Sequence, residues 1–178
     1  GVDSVGLRYF NVFGARQDPL GAYAAVIPRW TEQLISGERC SVYGDGSASR
    51  DFCYVDNVVQ ANLLAALAPP ERLGDAVFNV ACGARTSLRE LFIMIRDLVA
   101  ASRPAAAHAE LERAEPRPGD ILHSLASIER AKERLGYRPE FDVQSGMVAT
   151  VRFYLDQAER LERSSGTSRT VQPAREAS

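Results

Sequence analysis

The sequence predicts an α/β fold. Strand-like and helix-like stretches alternate along most of the chain, and most are bounded by turn or cap chemistry. The chain has 178 residues, 46% hydrophobic and 25% charged, enough for one domain with its own apolar core. Past about Gln157 it turns polar, rich in Ser, Gly, Thr and charge. Residues 157–178 are expected to be a disordered tail.

Residues Ser4 to Phe13 mix β-branched, aromatic and apolar side chains and read as a buried strand. Such a strand is expected to have sheet neighbours upstream. Asp18-Pro19-Leu20-Gly21 is turn chemistry. Ala22 to Ile35 then carries Ile27, Trp30 and Leu34 on one helical face, with Pro28 near the first turn and Ser36-Gly37 as the stop. Cys40 to Tyr43 reads as a short strand closed by a Gly44-Asp45-Gly46 hairpin turn, with a second strand over Arg50 to Tyr54. Asp56 suits the N-cap of a helix over Val58 to Ala68, which Pro69-Pro70 ends. Ala76 to Ala81 is a further buried strand. Ser87 and Glu90 form a capping box for a helix over Leu88 to Ala101. A strand near Ala109 to Arg113, a loop at Pro116 to Asp120, a helix Ile128 to Leu135 capped by Ser127, and a last helix Asp142 to Leu155 complete the reading.

The formal net charge of -2 points to neither nucleic acid nor an anionic membrane surface. Cys40, Cys53 and Cys82 lack CxxC spacing and a nearby histidine pair. They read as buried thiols in a reducing compartment, with no metal site. No apolar run reaches membrane-span length, and no secretion signal opens the sequence, so the cytoplasm is the expected location. Lys132 is the only lysine, so a mechanism that needs one has a single candidate.

The ordered series Leu7-Arg8-Tyr9-Phe10-Asn11-Val12-Phe13-Gly14, Ser49-Arg50-Asp51-Phe52-Cys53-Tyr54-Val55-Asp56, Phe78-Asn79-Val80-Ala81-Cys82-Gly83 and Pro116-Arg117-Pro118-Gly119-Asp120 resembles the extended short-chain dehydrogenase/reductases. Within them it is most similar to the NAD-dependent epimerase/dehydratase family, and there to the UDP-N-acetylglucosamine 4-epimerases. The resemblance covers roughly residues 5 to 155 by motif order. It implies the carboxyl-terminal part of a doubly wound Rossmann-type domain interleaved with a smaller nucleotide-sugar-binding lobe, over residues 1–156, with ligands at the carboxyl ends of the strands.

The same resemblance implies a UDP-sugar site. Asn11 matches an asparagine that donates to the diphosphate. Arg50 and Arg117 match two arginines that clamp it through charged forks. Asp120 matches the acid that accepts the ribose hydroxyls, Tyr43 borders the uracil, and Ala25 and Val26 line the uridine pocket. Tyr9 and Phe10 would lie against the nicotinamide of NAD, with core packing an equal alternative. Core packing is also open for Tyr43 and favoured for Trp30. Gln17 and Ser124 bear on the sugar. Ser124 holds a gate position where a bulky residue excludes a C2 acetamido group and a small one admits it. Gln17 would bond that group or a neighbouring hydroxyl.

The implied reaction is 4-epimerisation of UDP-GlcNAc and UDP-GalNAc, or their uronic acids, through a 4-keto intermediate. The family's base is the tyrosine of a YxxxK pair, which this sequence lacks, as it lacks a glycine-rich fingerprint after a strand. No catalytic residue is therefore assigned, and NAD would be held mainly by residues outside this sequence. The chain alone is expected to be inactive and poorly stable, and its longer parent a homodimer. A UDP-glucose 4-epimerase or sugar-nucleotide dehydratase remains open within the enzyme class. Outside that class, a non-catalytic UDP-sugar-binding module or an inactive partial gene product remains open.

Overall fold

A computed structural model describes residues 4–19, 25–74, 77–116 and 118–167. The order of elements is β1 (Gly6–Tyr9), β2 (Val12–Phe13), α1 (Val26–Ser36), β3 (Cys40–Tyr43), β4 (Ser49–Arg50), β5 (Cys53–Tyr54), α2 (Val55–Leu67) and α3 (Pro70–Leu73). There follow β6 (Val77–Val80), β7 (Thr86–Ser87), α4 (Leu88–Ala100), a 3-10 turn (Pro104–His108), β8 (Leu111–Ala114), α5 (Glu129–Leu135) and α6 (Val143–Thr167). The fold is mixed α/β, and among the described residues three of the four strand pairs are parallel.

The first predicted strand is two strands. Asn11 interrupts it with a φ of 35°, a left-handed conformation that asparagine tolerates better than most residues. The break changes the partner: β1 runs parallel to β6, with Tyr9 opposite Val80, and β2 runs parallel to β5, with Val12 opposite Cys53. β1 is also far more exposed than a buried strand would be, with Tyr9 47% exposed. Among the described residues only β6 borders it.

The expected hairpin after Tyr43 is absent. β3 pairs in parallel with β8, Tyr43 opposite Ala114, and β4 pairs antiparallel with β7. Positive φ at Gly44 and Gly46, with the Asp45 carboxylate accepting from the Ser47 N–H at 2.9 Å, turns the chain toward a different partner.

Two hydrophobic cores lie on either side of the β2–β5 pair. One gathers Trp30, Leu34, Leu91, Ile95, Met147 and Val151 from α1, α4 and α6. The other gathers Ala61, Phe78, Val80, Ala131 and Tyr137 around α2, β6 and α5. The period of two in a strand explains how one pair serves both: Phe13, Phe52 and Tyr54 enter the first core, while Cys53 and Val12 face the second. The two cores thus meet at this seam.

Local rules hold at several ends. Ser87 Oγ accepts the Glu90 N–H at 3.2 Å and the Glu90 carboxylate accepts the Ser87 N–H at 2.9 Å, the predicted capping box. The Ser87 backbone N–H and then its hydroxyl hold the Glu90 carboxyl below its ordinary value. That contribution to stability is present above the ordinary carboxylate range and is lost as pH falls through the depressed value. Ser87→Ala is expected to cost about 1 kcal/mol in urea unfolding.

Other ends differ. α2 begins at Val55, with Tyr54 in the cap position, so Asp56 sits in the first turn and favours the helix through its charge. Pro70 opens α3 rather than ending structure. α5 starts at Glu129 without a side-chain cap, and the Ser127 carbonyl instead accepts the Asn79 amide at 3.0 Å. α6 continues through Thr167, past the Gln157 at which the tail was expected to begin. An Arg103–Glu162 ion pair at 2.7 Å and the helical pair Glu159–Arg163 extend it. The expected helical start at Ala22, the strand start at Ala76 and residues 168–178 lie outside the described residues.

α6 reaches the seam through Gly146. A Cβ added there would meet the Tyr54 side chain at 2.7 Å. Gly→Ala in an exposed helix normally gains up to about 1 kcal/mol. Here Gly146→Ala is expected to lose roughly 1–3 kcal/mol through overpacking, read as a lower thermal midpoint.

Candidate nucleotide-sugar groove

Arg50 is the centre of the candidate site. It ends β4, and its Nη1 donates to the carbonyls of Ser49 at 2.9 Å and Leu122 at 3.0 Å. Those bonds use one guanidinium nitrogen. Nε and Nη2 carry no bond to protein among the described residues, so a charged fork is left available. Arg50 lines two adjoining cavities, of about 560 and 260 Å³, which also share Val26 and Leu88. Together they form one groove.

The larger cavity is walled by Trp30 and Arg29 of α1, Tyr43 at the end of β3, Asp45 of the turn after it, and Asp120 to Leu122. The smaller holds Asn11, Ala25, Phe13 and Phe52. Fold topology therefore brings Asn11, Ala25, Val26, Tyr43, Arg50 and Asp120 to one groove from widely separated sequence positions. Arg117 lies outside the described residues. Asn11 donates one amide hydrogen to the Asp51 carbonyl at 2.9 Å, which fixes the amide plane and leaves a second N–H on the same nitrogen. Trp30 is fully buried, donates to the Ser41 carbonyl at 3.1 Å and stands edge-on to Phe92, so it is a core residue that also floors the cavity. Ser47, through its hydroxyl and then its backbone N–H, holds the exposed Asp45 carboxyl below its ordinary value, keeping a negative charge at the rim.

Four predicted residues stand apart from the cavity walls. Ser124 is half-buried, and its N–H donates to the Ser49 carbonyl at 3.1 Å, which places it beside Arg50 but not on the lining. Gln17 lies in a separate surface cleft with Arg16, Tyr154 and Arg160. Its Nε2 donates to the Val12 carbonyl at 3.4 Å, and Tyr154 donates to its carbonyl. Tyr9 is exposed at the carboxyl end of β1, with its hydroxyl on Asn62 at 3.1 Å. Phe10 is half-buried against the second core.

Sequence reasoning did not single out Asp51. It is fully buried, and its carboxylate accepts the N–H groups of Cys82 at 2.9 Å, Gly83 at 3.0 Å and Ala126 at 3.3 Å. Burial pushes its carboxyl above the usual range, opposed by those N–H donors. Asp51 thus binds together the loop after β6, the segment carrying Ser124 and, through its carbonyl, Asn11. The available signal was an acid inside an apolar strand-like run. Ser49 and His123 were also missed. Ser49 Oγ and His123 Nδ1 lie 2.9 Å apart, and Ser49 bridges to His123 in parallel. That contact pins the Leu122–Ser124 segment to β4.

The model of the NAD dependent epimerase/dehydratase family matches residues 1–81. A UDP-glucose 4-epimerase of Mycolicibacterium smegmatis is 37% identical over 149 residues, 84% of this chain and 44% of the relative. The structure of a UDP-N-acetylglucosamine 4-epimerase from Methanobrevibacter ruminantium, in complex with UDP-N-acetylmuramic acid, superposes with a TM-score of 0.76 at 38% identity. It is covered to 46%, and this chain to 86%.

Over residues 1–81 the chain belongs to the NAD dependent epimerase/dehydratase family.

A second family structure, the UDP-glucose 4-epimerase of Thermotoga maritima with UDP-glucose, gives a TM-score of 0.76 at 36% identity, covering 86% of this chain and 46% of that one. The chain therefore spans less than half the length of each of these epimerases. Relatives of this family act on UDP-sugars, and the family uses NAD. No helix among the described residues is long and apolar enough to cross a membrane.

Proposed function

We propose that this chain provides the nucleotide-sugar site of an NAD-dependent UDP-sugar 4-epimerase, with a UDP-N-acetylhexosamine or its uronic acid as substrate. The observation that carries the reading is the groove itself. A charged fork, a fixed amide donor, a carboxylate and apolar walls converge there, each suited to one part of a UDP-sugar. Arg50 and the free N–H of Asn11 would take the diphosphate, where a guanidinium and a neutral donor both match phosphate oxygens. Asp120 would accept the ribose hydroxyls. Tyr43 would border the base, with Ala25 and Val26 lining the uridine pocket. Arg117 would add the second clamp. Ser124, beside Arg50, would leave room for a C2 acetamido group.

NAD would supply the hydride acceptor and donor for C4 chemistry. From this chain Tyr9 fits the border of such a site, because its ring is exposed at the carboxyl end of a parallel strand. Phe10 is committed to the core and would contribute packing. Gln17 belongs to the neighbouring cleft and is not assigned to the sugar. The exposed apolar stripe Val59, Leu63 and Leu67 on α2, together with the open edge of β1, supports a larger parent in which more polypeptide covers this lobe.

Calorimetric titration with UDP, UDP-GlcNAc and UDP-glucose tests the reading. UDP and UDP-GlcNAc are expected to bind, and absence of heat with all three would overturn it. Ser124→Tyr is expected to weaken UDP-GlcNAc roughly tenfold to a hundredfold while leaving UDP unchanged, since the clash is confined to the sugar. Equal losses for both ligands would remove Ser124 from the gate.

A further inference from the structure

Cys53 and Cys82 take no part in the groove. Cys53 is fully buried in β5, and Cys82 is half-buried just past the end of β6. Strand pairing brings them together. β1 carries β6 with Val80 opposite Tyr9, and β2 carries β5 with Cys53 opposite Val12, so the carboxyl end of β6 arrives beside β5. The two thiols are free and pack into the same apolar core.

They share one polar setting. The Asn57 amide donates to Cys82 Sγ at 3.7 Å, and Cys82 Sγ donates to the Phe141 carbonyl at 3.6 Å. Cys53 Sγ lies 3.8 Å from the Tyr137 hydroxyl, which donates to the Ala81 carbonyl, next to Cys82, at 2.9 Å. Cys40 belongs to the other core, with its sulfur on the Trp30 carbonyl at 3.8 Å.

The pair is asymmetric. The neighbouring Cys53 thiol lowers the Cys82 thiol, helped by the Tyr54 backbone and Asn57. Cys82 in turn, then burial, raises Cys53. Cys82 is also the more accessible residue of the two, and thiolate character with access governs attack.

We propose that Cys53 and Cys82 are an oxidisable dithiol, a modification site for a peroxide. The Cys82 thiolate attacks one oxygen of hydrogen peroxide. The O–O bond breaks, leaving a sulfenic acid and a hydroxide that takes up a proton. The Cys53 sulfur then attacks the sulfenic sulfur. An S–S bond forms, the S–O bond breaks, and hydroxide leaves with the Cys53 proton as water. Two thiols are oxidised and one peroxide becomes two waters. The bond would tie β5 to the residue whose N–H serves Asp51. It stands independently of the UDP-sugar reading.

The full chain is exposed to hydrogen peroxide, blocked with N-ethylmaleimide and digested for mass spectrometry without reductant. The expected result is a loss of about 2 Da and a Cys53–Cys82 linked peptide, with Cys40 alkylated and dithiothreitol reversing the change. Cys40→Ser is expected to keep the link and Cys82→Ser to abolish it. Cys82 is half-buried, so its serine variant stays folded. In Cys53→Ser, dimedone is expected to trap the sulfenic acid on Cys82. The proposal is overturned if wild-type Cys82 accumulates as sulfenic or sulfinic acid without a link. It is equally overturned if Cys40 oxidises first, or if Cys53 and Cys82 emerge alkylated.

Discussion

Asp51→Ala is expected to lower the stability of the chain by about 3–5 kcal/mol, because it leaves one buried and two part-buried backbone N–H groups without their acceptor. Cys82, Gly83 and Ala126 belong to two different segments, so the loss loosens both from β5. Relief from burying a carboxyl offsets part of the cost. Asp51→Asn keeps one acceptor oxygen but turns an N–H₂ toward donors, so its loss should approach that of alanine. The pH dependence has a definite sign. Burial raises the folded Asp51 carboxyl above its unfolded value. Its contribution is therefore fully present below the ordinary carboxylate range and declines as pH rises through the raised value. Urea unfolding across pH is expected to show the gap between wild type and Asp51→Ala narrowing in that direction. A gap that widens, or a loss below about 1 kcal/mol, would remove Asp51 as the node of the site.

Arg50→Ala is expected to weaken UDP binding about tenfold to a hundredfold, the loss of charge-assisted bonds to phosphate. The Nη1 bonds to Ser49 and Leu122 add a second consequence. Without them the Leu122–Ser124 segment is held by backbone bonds and the Ser49–His123 contact alone. Arg50→Lys keeps the charge and loses the fork. An intermediate affinity is expected, with a salt dependence like that of wild type. Uridine, which lacks phosphate, should bind both variants as it binds wild type. A UDP affinity unchanged in Arg50→Ala would take the clamp away from this residue.

The sequence carried the α/β class, the helices over Val26–Ser36 and Leu88–Ala100, and the Ser87–Glu90 box, because apolar period and cap chemistry are local. It carried six groove residues through motif order, and the structure gathers Asn11, Ala25, Val26, Tyr43, Arg50 and Asp120 along one groove. It could not supply strand partners. Nothing near Tyr43 announces that β3 pairs with a strand ending at Ala114, since register depends on which apolar faces meet across the fold. The tail was misjudged for a related reason: composition at Glu159–Arg163 is polar, yet ion pairs extend α6 to Thr167.

The sequence by itself determined the kind of element most segments form and the residue types that line the groove. Only the tertiary structure decided which of them act together. It drew Gln17 into another cleft, made Asp51 the shared acceptor of distant segments and placed Cys53 beside Cys82. The physical reason is that donors, acceptors and apolar faces are local properties of a residue, whereas their partners are fixed by packing between segments remote in the chain.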